Sequence, residues 1–110
     1  MKIHQLDLFK GTLSLLLLKS LTHGQRHGHE IMRWIRKISD ETFLVEEGTI
    51  YPALHRLEAR SYIESKWGIT TNNRRAKFYR LTTKGKARLK QESEEWFFYV
   101  ATFSQLLKAT

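Results

Sequence analysis

Cysteine is absent from the 110 residues, and long apolar runs are absent as well. Without thiols the chain has no disulfides, no thiolate zinc sites and no cysteine nucleophile. The most apolar run, residues 13–18, lies between Lys10 and Lys19 and is far shorter than the roughly 20 residues that a membrane-spanning helix needs. It also lacks the small-residue cleavage site of a signal peptide. We therefore expect a cytoplasmic protein without a membrane span.

Acidic residues are scarce in one segment of the chain. Residues 48–90 contain 11 Lys or Arg but only two acids, Glu58 and Glu64. This segment alone therefore carries +9, whereas the net charge of the whole chain is +8. The rest of the chain, with 8 bases and 9 acids, carries −1. A charge excess confined to one segment predicts a face that binds a polyanion. Nucleic acid is the first candidate for that partner, and a membrane surface is the second.

Apolar spacing predicts four helices and a hairpin in a chain that has room for one compact domain and at most one appended element. Thr49 is the expected N-cap of the third helix, which places Pro52 in the first turn, where its missing N–H breaks no helical bond. Two runs rich in β-branched and aromatic residues predict the hairpin. In chain order we expect a helix at 11–21, a helix after residue 28, an extended stretch at 42–45, a helix from about 48, strands at 62–69 and 77–82, and a helix from 83 to the end.

The last expected helix has apolar residues on more than one side. No proline or glycine follows Gly85. At 3.6 residues per turn, several apolar residues form a stripe along one side of this helix. Phe97 and Phe98 point well away from that stripe. A single small domain covers only one side, so we expect a partner chain as the second cover and a homodimer as the assembly. The residues expected at this dimer interface are Leu89, Trp96, Val100, Phe103 and Leu107.

The order of the expected elements is that of a winged helix-turn-helix followed by one long helix. Four segments of the chain also resemble the PadR-like family of transcriptional regulators. Two features depart from the family pattern: His27-Gly28-His29 replaces the usual aromatic residue around that glycine, and Ser61 stands where a glycine commonly ends the recognition helix. The resembling segments are Gly11-Thr12-Leu13, Gly28 with Glu30-Ile31, GTIYPALHRLE at 48–58, and RAKFYRLT at 75–82 with Lys84-Gly85.

This resemblance implies the short form of the family. The fold is then mainly α (α+β), with a winged-helix DNA-binding domain at residues 1–82 and a C-terminal dimerisation helix at residues 83–110. The resemblance also implies a dimeric regulator, with repression as the common behaviour, that binds a pseudo-palindromic double-stranded operator. Its half-sites are expected about 10 bp apart, or a small multiple of that.

The third helix and the tip of the hairpin, or wing, are the expected DNA contacts. A recognition helix enters the major groove, and a basic wing suits the phosphates or the minor groove beside it. The resemblance supports Tyr51 as a phosphate contact, and Arg56 is the best candidate for a bidentate contact to guanine. The ordinary alternatives are that Tyr51 packs against the second helix and that Arg56 is only solvated. The expected contact residues are Thr49, Tyr51, Pro52, Ala53 and Arg56 in the helix and Asn73, Arg74, Arg75 and Lys77 in the wing.

Two further binding functions are weighed against this one. The aromatic residues of the last helix could form a pocket for a small aromatic effector, with Trp96 and Tyr99 as its best candidates, although such a stripe is more often plain interface core. The basic face could instead bind an acidic protein partner, which makes the chain a winged-helix interaction module. The helix segment 49–56 favours DNA over that alternative.

Metal binding and catalysis have weaker support. His23, His27 and His29 are close in sequence, yet Glu30 is the only carboxylate at ligand spacing, so we expect a polar loop here, no metal and no cofactor. The acids that occur in pairs are sequence neighbours, which point to different sides of a helix and cannot act as acid and base on one substrate. We therefore do not expect an enzyme.

Overall fold

The computed structural model describes residues 12–110, and its helices and strands follow the expected order. The fold is mainly α with one small antiparallel sheet and a long C-terminal helix, so the predicted winged helix-turn-helix is confirmed. Gly11, at the start of the first predicted helix, lies outside the described residues. No helix within the described residues is long and apolar enough to cross a membrane. The elements are α1 (Thr12–Ser20), β1 (Arg26–His27), α2 (Gly28–Ile38), α3 (Glu47–Ala59), β2 (Ile63–Ile69), β3 (Arg75–Leu81) and α4 (Thr83–Lys108).

The first three helices and the base of the sheet enclose the hydrophobic core. Leu17 and Leu18 of α1, Ile31 of α2, and Ile50 and Leu54 of α3 are all completely buried. Burial of an aliphatic side chain contributes about 1.5–3 kcal/mol relative to exposure, so these residues hold the three helices against one another. The packing fixes the rotation of α3 and therefore decides which of its side chains face solvent.

The hairpin of β2 and β3 forms the wing, defined here as residues 63–81. Ile63 pairs with Leu81 at its base, and Ile69 pairs with Arg75 at its tip. The predicted hairpin is confirmed, but β3 begins two residues earlier than predicted, because Arg75 already pairs with β2. The turn is therefore limited to residues 70–74.

A third strand, β1, was not predicted. The sheet order is β1-β3-β2, and β1 consists of Arg26 and His27, which pair with Tyr79 and Phe78 of β3. Neither residue belongs to the β-branched or aromatic types that favour strands in a sequence. Pairing with β3 alone makes this segment a strand, and it places the start of α2 beside the wing.

α3 begins at Glu47, close to its predicted start, but its N-cap lies three residues before the predicted Thr49. The N-cap is Glu46, which makes no side-chain capping bond, and the Thr49 N–H already donates to the Glu46 carbonyl oxygen at 3.0 Å. Pro52 consequently lies in the second turn instead of the first. Because it has no N–H, Pro52 cannot donate the helical bond to the carbonyl of Gly48.

α3 ends in a Schellman turn in which Ser61 takes the position usually occupied by glycine. Ser61 has a φ of 64°, in the left-handed region. The Tyr62 N–H donates to the Leu57 carbonyl at 3.0 Å and the Ser61 N–H donates to the Glu58 carbonyl at 2.9 Å, which are the two bonds of this motif. The departure from the family pattern at Ser61 therefore keeps the turn that a glycine would make.

α4 is joined firmly to this turn at its N-terminus. The Thr82 hydroxyl caps α4 by accepting from the Gly85 N–H at 3.0 Å, and it donates to the Ser61 carbonyl oxygen at 2.6 Å. A Cβ at Gly85 would overlap the Tyr62 carbonyl oxygen, so only glycine allows this approach. The first turns of α4 pack against α1, and Leu89 lies partly buried against the core of its own chain.

Candidate nucleic-acid interface

A cleft of about 730 Å³ lies between the N-terminus of α2, the side of α3 and the wing. Its basic lining comes from two elements: Arg33 belongs to α2, while Arg74, Arg75 and Lys77 belong to the wing. None of the described residues that line the cleft is acidic. A concave surface with one sign of charge concentrates its field and attracts a polyanion.

Tyr51 is both packed and accessible at this cleft. A Cβ at Gly28 would lie 2.5 Å from the Tyr51 hydroxyl oxygen, so the ring fits against α2 only because residue 28 is glycine. The side chain is nevertheless 38% exposed. Burial, together with the nearby carboxylate of Glu47, raises the pKa of Tyr51 and keeps its hydroxyl protonated as a hydrogen-bond donor. The two interpretations of Tyr51 that the sequence leaves open are therefore compatible.

His27 and His29 have structural partners at the start of α2. His27 is the N-cap: its Nδ1 accepts from the Glu30 N–H at 3.4 Å, and its own N–H donates to the Glu30 carboxylate at 3.0 Å. His29 pairs with Glu47 at 3.0 Å and so connects the first turns of α2 and α3. Burial lowers the pKa of His27 more than Glu30 raises it, so the neutral ring accepts the capping bond.

The histidines do not come together as a metal site in the structure. No three side chains of His, Cys, Asp or Glu in residues 12–110 are placed to hold a metal ion. The centroids of the His27 and His29 rings are 6.4 Å apart, and His23 is exposed in the loop after α1.

The wing presents its cations beside a tryptophan. The Arg75 guanidinium lies 4.6 Å from the centroid of the Trp67 ring, and the Lys77 ammonium lies 5.9 Å from it. Asn73, with a φ of 59°, forms the turn, in which the Arg74 N–H donates to the Thr70 hydroxyl at 3.1 Å. Trp67 is not among the contact residues expected from the sequence. The signal that could have found it is the hairpin register, which places Trp67 directly opposite Lys77.

The acids of the basic segment bind protein groups outside the cleft. The Ser65 hydroxyl donates to Glu58 at 2.5 Å, which ties β2 to α3 and fixes the angle of the wing. Glu64 pairs with Arg80 on the wing. Of the 11 bases of this segment, Arg74, Arg75 and Lys77 line the cleft, and none of the described residues that line it is an acid.

α3 brings only part of the predicted contact set to the cleft. Tyr51 lines it, but Arg56 follows five residues later, about 140° around the helix at 100° per residue. Arg56 lines a second depression, of about 340 Å³, beside α1 and α4. Pro52 and His55 are exposed on the arc between them.

Two of the predicted α3 contacts are less accessible than expected. Ala53 is only 1% exposed and belongs to the hydrophobic core, so its side chain offers no contact surface and the expectation is corrected. Thr49 is half-buried. His55, which is not among the expected contacts, is more accessible than either.

The distal half of α4 carries a continuous exposed aromatic surface. Trp96 and Tyr99 stack with ring centroids 6.3 Å apart, and Tyr99 and Phe103 stack at 5.7 Å. Leu89 differs from the other predicted interface residues, because it packs on the core of its own chain. The exposed apolar residues here are Phe97, Phe98, Tyr99, Val100, Phe103, Leu106 and Leu107.

Known proteins resemble the chain in both sequence and fold. The model of the "Transcriptional regulator PadR-like family" matches residues 17–91. A transcriptional regulator from Clostridium thermocellum is 34% identical, with a TM-score of 0.84 over 93% of this chain and 99% of that one. A PadR family transcription regulator from Clostridium difficile R20291 is 31% identical, with a TM-score of 0.77 over 88% of this chain and 99% of that one. An uncharacterized protein of Lysinibacillus sphaericus is 32% identical over 90 residues, or 82% of this chain and 83% of that protein.

The family match spans all the elements that form the cleft and reaches into α4. It confirms the resemblance that the sequence segments indicate. Membership of a transcriptional regulator family implies DNA binding, in agreement with the basic cleft, and it identifies a regulator and not an enzyme. The chain belongs to the PadR-like family of transcriptional regulators.

Proposed function

We propose that the protein is a homodimeric, sequence-specific repressor that binds a pseudo-palindromic operator. The observation that carries this proposal is the position of Arg74, Arg75 and Lys77, which line the same concave surface as Tyr51 of α3. An α-helix is about 10–12 Å in diameter and the major groove of B-DNA is about 12 Å wide. With the exposed side of α3 in that groove, the wing lies against the adjacent backbone or minor groove.

Two kinds of contact follow from this docking. Arg56, together with exposed Pro52 and His55, is proposed to contact base edges, with Arg56 bonded to guanine through two N–H groups. The Tyr51 hydroxyl and the wing cations are proposed to bind phosphates and to position α3. Thr49 is a proposed contact at the edge of the helix, whereas Ala53 is left out because it is buried.

The proposed dimer uses the distal half of α4, within the proposed dimerisation helix at residues 83–110. Trp96, Val100, Phe103 and Leu107 supply the central stripe, and Leu89 lies at its edge. Each recognition helix then binds one half-site, about 10 bp or a small multiple of that from the other. Repression is proposed because a dimer on two successive major grooves occupies promoter DNA that the polymerase needs.

A small aromatic effector is a secondary proposal for the same region. The Trp96 and Tyr99 rings are stacked with an interplanar angle of 24°, so they present flat faces along one side of α4. Two such faces across a dimer would leave a slot suited to a planar ligand. Calorimetric titration of the dimer with an aromatic carboxylate should give saturable heat that Trp96→Ala abolishes; unchanged binding in that variant would contradict the proposal.

The decisive test of the main proposal is titration of labelled duplexes at several salt concentrations. The duplexes are the region upstream of the gene and a scrambled sequence of the same composition. We expect the upstream duplex to bind more tightly, Arg56→Ala to reduce this preference by about 1–3 kcal/mol for each half-site, and Arg75→Ala to weaken both duplexes equally. Equal binding of the two duplexes by the wild-type protein would contradict an operator at this location. Equal effects of the two variants would contradict the division between base contacts, made by Arg56, and phosphate contacts, made by Arg75.

A further inference from the structure

A second basic surface lies on the side of α3 that faces away from the wing. Arg56 and Arg60 come from the end of α3, and Lys84 and Arg88 come from the first turns of α4. The Lys84 ammonium and the Arg88 guanidinium lie 5.0 and 5.7 Å from the centroid of the Tyr62 ring. We call these five residues the Tyr62 cluster; all of them except Lys84 line the 340 Å³ depression.

Backbone contacts hold the Tyr62 cluster in place. The Lys84 ammonium donates to the Arg60 carbonyl oxygen at 3.0 Å. The Thr82 hydroxyl donates to the Ser61 carbonyl oxygen, and Gly85 allows α4 to approach the Tyr62 backbone closely. Because both helix ends are anchored to one turn, little ordering is needed before an anion binds.

The cluster has more positive charge than its protein partners neutralise. Among the described residues, Glu92, which accepts from the Arg88 Nε at 2.6 Å, and Glu95 lie near Arg88, while Glu64, on the side of Lys84, already pairs with Arg80. Arg56, Arg60 and Lys84 are exposed. Like charges at this spacing repel one another, and an anion on the surface would offset that repulsion.

We propose that the Tyr62 cluster is a second phosphate-binding surface, on the opposite flank of α3 from the wing; this inference rests on the proposed docking of α3 in the major groove. The groove is only slightly wider than the helix, at about 12 Å against about 10–12 Å, so the phosphates of one strand approach one flank of α3 and those of the other strand approach the other flank. The wing holds one strand, and Arg60 and Lys84 hold the other. Arg56 lies at the edge of the cluster nearest the groove.

The test compares the removal of two cations of the Tyr62 cluster, Arg60 and Lys84, with the removal of a cation outside it. Lys90 is exposed like Lys84 but points about 240° away from Lys84 and about 200° away from Arg88 around the helix, so Lys90→Gln is the control. The double variant Arg60→Gln/Lys84→Gln is titrated as a full-length dimer with the upstream and scrambled duplexes, between about 50 and 200 mM salt. Thermal melting and light scattering verify that both variants fold and assemble as the wild type does.

The double variant should bind both duplexes more weakly and lower the magnitude of the slope of log K against log salt by about 3.6, which is about 0.9 for each of the four phosphate contacts that the dimer loses. Lys90→Gln should leave the slope unchanged. A third variant, Glu92→Gln, should have a higher affinity for both duplexes, because it removes the carboxylate that pairs with Arg88.

If the double variant keeps the wild-type slope while Arg75→Ala lowers it, the second surface is wrong and the proposed docking of the wing stands. The same holds if Glu92→Gln leaves affinity unchanged. If the wild-type protein does not distinguish the upstream duplex from the scrambled one, the operator proposal fails whatever the Tyr62 cluster does.

Discussion

The winged-helix body and the distal half of α4 place their apolar side chains in opposite ways. In the body, Leu17, Ile31 and Leu54 are completely buried. Along distal α4, Phe98 is 75% and Leu107 is 73% exposed. The body therefore obtains its stability from its own chain, whereas the apolar surface of α4 is available for another one. With the proposed dimer interface on α4, folding and assembly would depend on separate sets of residues, which mutation can test independently.

Loss of a core side chain in the body should have the largest effect. Leu54→Ala is expected to lower the free energy of unfolding by about 2–5 kcal/mol, since it removes buried contacts and leaves a cavity. Urea denaturation at one fixed protein concentration measures this. The matched control is Ile69→Ala at the wing tip, where the side chain is 63% exposed and the expected change is within about 0.5 kcal/mol. Equal losses in the two variants would contradict the assignment of the core.

A substitution on distal α4 should instead change assembly. Phe103 is 48% exposed and stacks on Tyr99, in the middle of the proposed dimer stripe. Phe103→Ala is expected to cost about 2 kcal/mol of dimer stability, or roughly 30-fold in the dissociation constant. Sedimentation or light scattering over a dilution series measures it, with Gln105→Ala, about 180° from Trp96 around the helix, as the control. An unchanged dissociation constant in Phe103→Ala would remove the stripe from the interface.

The sequence predicts features that depend on local periodicity. The order of the elements, the hairpin and the exposed aromatic side of α4 all follow from patterns of two or about 3.6 residues. β1 could not be predicted in this way, because two polar residues become a strand only by pairing with β3. The rotation of α3 is likewise set by packing against α1 and α2, and for that reason Ala53 is buried and Arg56 lies far from the wing.

The turn between α3 and the wing gives a smaller effect with the opposite sign. Ser61 has a φ of 64°, a conformation that costs a residue with a Cβ about 1 kcal/mol relative to glycine. Ser61→Gly should therefore raise the free energy of unfolding by somewhat less than about 1 kcal/mol, because glycine also gains entropy in the unfolded chain. Thermal melting detects the change, and Ser61→Ala, which keeps a Cβ, should give no increase. A lower melting temperature in Ser61→Gly would mean that the serine stabilises the turn.

The smallest expected effect concerns the N-cap of α2, and it depends on pH. Burial lowers the pKa of His27 below its ordinary value of 6.5, so between these two values the unfolded chain binds a proton that the folded chain does not. The contribution of His27 to stability is therefore present above pH 6.5 and is lost as the pH falls from 6.5 toward the lowered folded value. His27→Asn keeps a neutral capping acceptor that does not titrate, so its urea midpoint should fall less than that of the wild type over this range. The exposed His23 supplies the control, since His23→Asn should retain the wild-type pH dependence. The same pH dependence in all three proteins would show that the cap of α2 does not depend on the protonation of His27.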